Sequence, residues 1–350
     1  MNFLQRINVV RRNITRGITR NIGNKGLDHK PVANGTTIKR IFISRPNGRL
    51  GNLLLITPLL QEVTDTFPNC VIDVFVKGGL APILFKNYPN VNFIIQLPGK
   101  PFKQLFKYLG EWFSIKKHCY DIAINVVKNS SSGRLSVQFA KADYKFFGDD
   151  ATDARLNPPD FVHIAKYPVY NFRHYIAQLG FPESNSPVPT MNLMLTADEL
   201  AQGKTVLQQL VQNDKETICL FTYATGAKCY APAWWEPFYS RLQQEYPNHN
   251  IIELLPKENV SQINFKAPTY YSRDIREMGA VLANTAIFIG ADSGIMHLAS
   301  AAQTPTVGLF MGNGIPRYGP YNNGSTSIHT PTATVDSIIV AINKVLRVQA

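Results

Sequence analysis

Short apolar runs alternate with longer amphipathic segments along most of this chain. Residues 38–44 form the first run, Ile-Lys-Arg-Ile-Phe-Ile-Ser, and residues 52 to about 67 follow it with apolar positions at helical spacing. The same order repeats as far as residue 147, and it restarts with a helix predicted over 197–212 and a strand over 217–222. This alternation predicts parallel sheets with helices on both faces.

A proline- and serine-rich stretch divides these elements into two series. Residues 181–189 have the sequence Phe-Pro-Glu-Ser-Asn-Ser-Pro-Val-Pro, and we predict an interdomain linker over 181–195. The 350 residues are enough for two domains. We therefore expect an α/β fold with Rossmann-like domains over 38–180 and 196–350, the second ending in a helix. Their parallel sheets are expected to face a cleft between the domains.

Residues 1–37 form a basic N-terminal arm and linker that precede the first domain. Residues 1–36 hold seven basic side chains and one acid, which is +6 by subtraction and half of the net charge of +12. Apolar residues recur there every three or four positions, which favours an amphipathic helix on an anionic membrane surface. A solvated, partly frayed arm fits the same residues, and both interpretations remain open. The arm lacks the uninterrupted apolar core of a secretory signal.

The composition excludes several other classes of protein. Hydrophobic residues make up 45% and charged residues 17% of the chain, which is typical of folded domains and not of disordered chains. The four cysteines are scattered, so neither a disulfide scaffold nor a zinc site is indicated. No apolar run approaches the length of a membrane span. A role in nucleic-acid binding is disfavoured because the excess charge is local and aromatic residues do not interleave with it.

The segment over residues 287–310 predicts a buried strand, a tight polar turn, a short helix and a second buried strand. The turn contains Asp292, Ser293 and Gly294, and the free N–H groups at the start of the helix favour an anion there. Ser293 adds a hydroxyl donor, Gly294 permits close approach of a ligand, and His297 follows within about one turn. We expect a phosphate-bearing ligand. The alternative is that Asp292 only caps the helix and His297 only packs.

A glycine- and proline-rich loop over residues 310–321 follows the second strand and carries Arg317. Loops at the carboxyl ends of strands are the places where open α/β sheets bind ligands. This loop therefore favours the ligand-binding interpretation of the preceding turn.

Four segments of the C-terminal half resemble, in order and spacing, the heptosyltransferases of lipopolysaccharide core synthesis, glycosyltransferase family 9. These segments are residues 272–284, 288–299, 304–310 and 317–321. In the first half, the run Leu50-Gly-Asn-Leu-Leu-Leu-Ile-Thr-Pro resembles the first loop and helix of that family. The resemblance covers roughly residues 38–345 and is weaker around 149–215. It implies a GT-B fold, with the active site between two Rossmann-like domains.

The activity that the resemblance implies is an inverting transfer, without a metal ion or other cofactor, of heptose or a related sugar from an ADP-sugar. The acceptor would be the lipopolysaccharide core or another lipid-linked saccharide. Partners would then be an ADP-heptose-like donor, this acceptor and, through residues 1–22, a membrane surface. The implied location is cytoplasmic, on the inner face of the cytoplasmic membrane if the arm binds it.

The resemblance also assigns residues to the donor. The donor-side residues are Asp292, Ser293, Gly294, His297, Thr225, Lys228 and Arg317. The family has a phosphate-contacting lysine two residues before a tryptophan, and the corresponding position before Trp234 is Pro232. Lys228 is therefore expected to supply the charge from a different position, and a solvated loop lysine is the alternative.

On the acceptor side this chain departs from the family. Asn52 stands where the resemblance implies the general-base aspartate, and an amide cannot take a proton from a hydroxyl. The acceptor-side residues implied are Arg49, Gly51, Asn125 and Lys128, of which Asn125 also replaces an aspartate of the family. Three other carboxylates of the first half, Glu62, Asp73 and Asp121, are candidates to replace this base. Each of them is expected to be structural instead.

Three explanations of the missing aspartate stay open. Another residue acts as the base, the acceptor brings its own base, or the protein binds sugar nucleotides without turnover. The last gives an alternative function, a non-catalytic GT-B binding protein. A sugar-nucleotide epimerase is less favoured, because Ile295, Met296 and His297 stand where that class is expected to have glycine and acidic residues.

Overall fold

The computed structural model describes residues 31–33, 36–100, 103–148 and 158–347. The helix predicted for the basic arm over residues 1–22 lies outside the described residues. No helix in the described ranges is both long enough and apolar enough to cross a bilayer.

The first domain is built on a parallel sheet of five strands in the order β3-β2-β1-β4-β5. The strands are β1 (Arg40–Ser44), β2 (Val71–Lys77), β3 (Val91–Leu97), β4 (Cys119–Asn125) and β5 (Lys141–Phe146). The helices are α1 (Leu50–Leu54), α2 (Thr57–Thr66), α3 (Ala81–Leu84), α4 (Leu105–Ser114), α5 (Ser131–Phe139) and α6 (Tyr167–Gln178). Its central strands are apolar almost throughout because helices cover both faces of the sheet.

The second domain has a parallel sheet of six strands in the order β11-β10-β9-β6-β7-β8. The strands are β6 (Thr217–Phe221), β7 (Asn250–Leu254), β8 (Thr269–Tyr270), β9 (Ile287–Ala291), β10 (Thr306–Phe310) and β11 (Thr326–His329). The helices are α7 (Ala197–Val211), α8 (Pro232–Glu245), α9 (Ile275–Ala283), α10 (Gly294–Ala301), α11 (Ile315–Tyr318) and α12 (Val335–Arg347). Strands β6, β9 and β10 are fully buried.

These two parallel-sheet domains confirm the predicted α/β fold class. Several details differ from the sequence-based expectation. The helix expected over residues 52 to about 67 is divided into α1 and α2, and the loop over 310–321 contains the short helix α11. The edge strands β8 and β11 were not predicted, because one has two residues and the other is largely polar. The helix expected over residues 161–180 begins only at Tyr167, where Pro168 occupies its first turn, and residues 161–166 form turns.

No helix or strand lies between Gln178 and Ala197, the segment that includes the predicted linker. This extended segment is bonded to both domains. From the first domain, Gln61 Nε2 donates to the carbonyl of Thr190 at 2.8 Å. On the other side, the N–H of Leu193 donates to the carbonyl of Ala301 at 2.7 Å. The segment is therefore a fixed strap between the domains.

A buried arginine, Arg276 of α9, anchors the end of this strap. Its guanidinium donates to Glu199 of α7 through Nε (2.5 Å) and Nη2 (2.7 Å). It also donates to three carbonyl oxygens, those of Leu193 (3.1 Å) and Met194 (3.0 Å) in the strap and of Ile83 (3.3 Å) in the first domain. The hydrogen bond from Arg276 lowers the pKa of Glu199 to about 2. This ion pair joins both domains and the strap.

A second joint brings α1 of the first domain against the start of α10 in the second. A Cβ atom placed on Gly51 would lie 2.6 Å from Cδ2 of His297 and 3.4 Å from Cα of Gly294. The first distance is far shorter than side chains tolerate, and the second is at the short limit of ordinary van der Waals contact. The two helices can approach this closely only because position 51 has no side chain.

A third joint is made by His163. Its Nδ1 accepts from the N–H of Ala165 at 3.2 Å, so the ring proton of the neutral form is on Nε2, which donates to the carbonyl of Gly319 at 3.0 Å. The next residue, Ile164, donates its N–H to the carbonyl of Arg317 at 3.0 Å. Burial lowers the pKa of His163 to about 4. The neutral ring therefore bonds a first-domain segment to the loop around α11.

The Gly51 joint predicts the effect of one methyl group. Gly51→Ala must push α1 away from His297, so we expect a loss of about 1–3 kcal/mol of stability and a matching fall in the thermal midpoint. Gly79→Ala is the control, because a Cβ there meets nothing within 4 Å. Equal thermal midpoints for the two variants would contradict the close contact between position 51 and His297.

The His163 joint predicts a pH dependence of stability. Because the folded-state pKa, about 4, is below the ordinary value of 6.5, the stabilisation is complete above pH 6.5 and is lost as the pH falls towards 4. The slope from this group is at most about 1.4 kcal/mol per pH unit. Thermal midpoints measured across this range should depend less steeply on pH in His163→Gln. The same slope in both proteins would contradict the assignment.

Candidate active site

The donor-side turn predicted from the sequence lies at the carboxyl end of β9. Ser293 has an extended backbone and is the N-cap of α10, where its Oγ accepts from the N–H of Met296 at 3.2 Å. Since Oγ accepts this bond, the hydroxyl proton remains to be donated. The first-turn N–H groups of α10 have no acceptor within the helix, so the turn favours a negatively charged group.

Asp292 does not cap this helix, which corrects the alternative interpretation of the motif. Its carboxylate instead forms an ion pair with Lys228, with Nζ 2.5 Å from Oδ2. Lys228 ends a short 3₁₀ turn that begins after Thr225, beyond the carboxyl end of β6. The lysine side chain is about half exposed, at 53%, while that of Asp292 is 11% exposed. Lys228 is therefore fixed beside the turn and still faces solvent.

A cavity of about 360 Å³ opens beside this ion pair. Such a volume lies within the range of small-molecule sites. It is lined by Ala227, Lys228, Asp292, Leu309, Phe310, Met311, Gly312, Asn313, Gly314 and Tyr318. Arg317 is not among these residues. Its side chain is exposed, with Cζ 5.8 Å from the ring centroid of Tyr318, and Tyr318 itself reaches the cavity.

His297 lies in the first turn of α10 and is enclosed by the contact between the domains. It is 4% exposed, and its Nδ1 has no hydrogen-bond partner among the described residues. Burial, with smaller effects of His163 and Lys228, lowers its pKa to about 3. The ring is therefore neutral near pH 7. It can offer a hydrogen bond to a ligand, but it cannot supply a positive charge.

Asn52 lies inside α1, because that helix begins at Leu50 after its N-cap Arg49. Asn52 is therefore not a helix cap. Its Oδ1 accepts from Nη2 of Arg45 at 2.7 Å, and its Nδ2 donates to Oδ1 of Asn47 at 3.3 Å. The amide thus connects the loop that follows β1 to the start of α1.

Arg45 is a residue of this site that the sequence analysis missed. It directly follows β1, is 8% exposed, and has no hydrogen-bond partner for its Nε among the described residues. No described carboxylate pairs with it. Burial lowers the pKa of this guanidinium from its ordinary value. A charged residue directly after a buried strand was the available signal.

The remaining acceptor-side residues are placed differently from one another. Gly51 makes the contact with α10, and Arg49 and Lys128 are exposed in loops after β1 and β4. Asn125 is only 1% exposed, and its Nδ2 donates to the carbonyls of Val127 and Phe147, both at 2.8 Å. The Asn125 amide therefore bonds the loops that follow β4 and β5, and its contact with an acceptor stays a prediction.

The other carboxylates considered as replacements for the base are engaged elsewhere. Glu62 forms two hydrogen bonds with Arg173, at 2.6 and 2.8 Å. Asp73 pairs with Arg40 at 2.8 Å and His118 at 2.7 Å. Asp121 accepts from the N–H groups of Lys39 and Arg40, both at 2.7 Å. All three have the structural role expected of them.

Comparison with known proteins gives consistent results for sequence and fold. The sequence model of the family described as Glycosyltransferase family 9 (heptosyltransferase) matches residues 114–336. Lipooligosaccharide heptosyltransferase 2 of Haemophilus influenzae is 26% identical over 309 residues, which cover 77% of this chain and 83% of that protein. The same enzyme of Haemophilus ducreyi is 23% identical over 329 residues, covering 87% and 88%.

Solved structures share the two-domain fold. A family 9 glycosyltransferase from Veillonella parvula has a TM-score of 0.67 and 15% identity, covering 89% of this chain and 98% of that one. Escherichia coli ADP-heptose lipopolysaccharide heptosyltransferase II has a TM-score of 0.64 and 16% identity, covering 89% and 100%. The match to the family model includes the donor-side turn, although it begins after the Arg45–Asn52 loop. Because this match spans well over half of the chain, the protein belongs to glycosyltransferase family 9.

Proposed function

We propose that this protein transfers heptose or a related sugar from an ADP-sugar to the lipopolysaccharide core or another lipid-linked saccharide, with inversion and without a metal ion. The observation that carries the proposal is the turn at the start of α10. There Ser293 caps the helix, Lys228 pairs with Asp292, and a cavity opens beside them. Membership of the family indicates a glycosyltransferase. The turn supports a donor that carries a diphosphate, as an ADP-sugar does.

The chemistry of the donor explains why such a turn suits it. When an acceptor oxygen attacks the anomeric carbon, the bond from that carbon to the diphosphate breaks and negative charge grows on the leaving phosphate. Fixed donors aimed at that charge stabilise the transition state. The N–H groups of α10, the Ser293 hydroxyl and the Lys228 ammonium group are such donors, and Asp292 holds the lysine in place.

The choice of ADP is supported by the relatives. Escherichia coli heptosyltransferase WaaC, with a TM-score of 0.64 and 15% identity, was solved with ADP. The same enzyme was also solved with ADP-2-deoxy-2-fluoro heptose. A cytoplasmic location and contact of residues 1–22 with a membrane remain predictions.

On the acceptor side we propose that Asn52 orients the acceptor together with Arg45. Asn52 cannot act as a base, and its carbonyl oxygen holds the Arg45 guanidinium at 2.7 Å. Because no described carboxylate pairs with Arg45, an anionic group of the acceptor would find a buried cation here. Such a group would also be placed to take the proton of the attacking hydroxyl.

The alternative function, binding without turnover, is favoured by one observation. Asn52 and Asn125 both stand where the family is expected to have aspartate, and Asn125 is enclosed by backbone contacts. Activity measurements on variants of Asn52 separate the two functions.

The donor site predicts selective stabilisation by ADP. At a hundred times its dissociation constant, ADP or an ADP-sugar should add about 2.7 kcal/mol, or roughly 3–4 °C for a chain of this length. UDP, GDP and CDP should add less. Ser293→Ala and Lys228→Met should weaken ADP at least about tenfold, since each loses a hydrogen bond to phosphate.

Lys204→Met is the matched control, because Lys204 lies on the exposed face of α7. Thermal shifts measured over a range of ADP concentrations give the affinities. If no nucleotide shifts the midpoint, the turn at Ser293 is structural and the proposed donor site is wrong.

The acceptor side predicts how Asn52 affects turnover. If Asn52 orients the acceptor, wild-type protein should transfer sugar and Asn52→Ala should lower kcat/KM by about tenfold or more, roughly 1.4 kcal/mol. ADP binding should not change. A carboxylate in Asn52→Asp would be ionised beside Arg45. Turnover by Asn52→Asp from an inactive wild type would favour the non-catalytic alternative.

A further inference from the structure

Helix α4 (Leu105–Ser114) has an apolar face that the fold leaves in solvent. We define the α4 face as Leu105, Phe106, Leu109 and Phe113. Their exposed fractions are 52%, 91%, 45% and 66% in that order. Isolated exposed apolar residues are ordinary, but four large ones on one helix form a patch that usually has a partner.

The α4 face is not needed to attach the helix to its domain. Tyr108 and Trp112, on the adjacent side of the helix, pack into the core, and the ring of Trp112 lies 5.2 Å from that of Phe75. Ile115, directly after the helix, is fully buried. Substitutions on the α4 face should therefore leave the fold intact.

Lysines lie close to this face along the chain. Residues 98–118 contain five lysines, Lys100, Lys103, Lys107, Lys116 and Lys117, and a single acid, Glu111. All five lysines are exposed, and none forms an ion pair with a described residue. Lys116 lies with Nζ 4.0 Å from the ring centroid of Phe139, and that ring lies 6.2 Å from Phe113. Apolar and positively charged groups are thus continuous over this surface.

The chain enters α4 from the edge of the first sheet that carries the candidate active site. Helix α4 starts after β3, whose last residue, Leu97, accepts from the N–H of Gly78 at 2.8 Å. The preceding residue, Lys77, donates to the carbonyl of Asn47 at 3.4 Å, and Asn47 contacts Asn52. These bonds connect the end of β3, from which the chain continues to α4, to the loop that holds Arg45.

We propose that the α4 face binds an anionic lipid bilayer. A helix lying along the surface would insert its exposed aromatic and leucine side chains between the headgroups, while the lysines contact lipid phosphates. Charge decides in favour of this partner, because a rim of five lysines and one acid is complementary to a uniformly negative surface. The proposal does not depend on the identity of the sugar donor.

The test is co-sedimentation of the full chain with vesicles. Wild-type protein should bind vesicles made of equal parts phosphatidylcholine and phosphatidylglycerol, and bind phosphatidylcholine alone more weakly. Phe106→Ser/Phe113→Ser should lower the partition coefficient at least about tenfold. Lys103→Gln/Lys107→Gln should lower it about fivefold for each lysine, on the anionic vesicles only.

The controls use exposed residues of the second domain. Phe265→Ser/Val340→Ser removes two apolar side chains that are 53% and 68% exposed, and Lys204→Gln/Lys257→Gln removes two exposed lysines. Both controls should bind as wild type does. Unchanged thermal midpoints of the α4 variants would establish that they fold.

Three results would overturn the proposal. The first is no binding of wild-type protein to anionic vesicles. The second is full binding by the α4 variants together with loss in Arg11→Gln/Arg12→Gln/Arg16→Gln, which would assign the membrane contact to the basic arm. The third is a wild-type dimer, seen by light scattering, that Phe106→Ser/Phe113→Ser converts to monomers without any change in vesicle binding.

Discussion

The candidate active site depends on how closely α1 and α10 approach each other. One helix follows the first strand of its domain, and the other follows the donor-side turn. They meet at Gly51, where a side chain would collide with His297. This contact places Arg45 and Asn52 on one side of the cleft and the Asp292–Ser293 turn on the other. It also encloses His297, so burial keeps that imidazole neutral. The contact between α1 and α10 therefore determines both the geometry of the site and the protonation state of His297.

The distribution of charge follows from the same arrangement. On the donor side the cation Lys228 has a carboxylate partner, Asp292, which fixes its position. On the acceptor side, the hydrogen-bond partner of the Arg45 guanidinium within the described ranges is an amide, that of Asn52. An aspartate at position 52 would neutralise this guanidinium, whereas asparagine leaves its charge to an incoming group. If position 52 is the base position that the resemblance implies, asparagine there both removes the base and leaves Arg45 without a carboxylate among the described residues.

Much of the fold could be predicted from the sequence, because helices, strands and turns depend mainly on residues that are neighbours in the chain. Buried strands are apolar almost throughout, and the donor-side turn consists of consecutive residues, Asp292 to Gly294. Contacts between distant residues could not be predicted in this way. Tyr167 and Tyr318 lie near enough to Arg45 to raise its pKa, and both are far away in the chain. Asn125 was assigned to the acceptor by resemblance to the family, and nothing local in the chain indicates that its amide donates to the carbonyls of Val127 and Phe147. Strand β8 has two residues, too few to form a pattern.

The buried guanidinium of Arg276 has a mechanical consequence. It holds Glu199 of the second domain, two carbonyls of the strap and the carbonyl of Ile83 in the first domain. Hydrogen bonds tolerate little stretching, so relative rotation of the domains would cost least about an axis that passes near both Arg276 and His163, which each make hydrogen bonds between the domains. Displacement would then grow with distance from this axis. The loop around α11, which His163 ties to the first domain, lies close to it. Tyr318, a wall of the donor cavity, would therefore move little when the domains rotate.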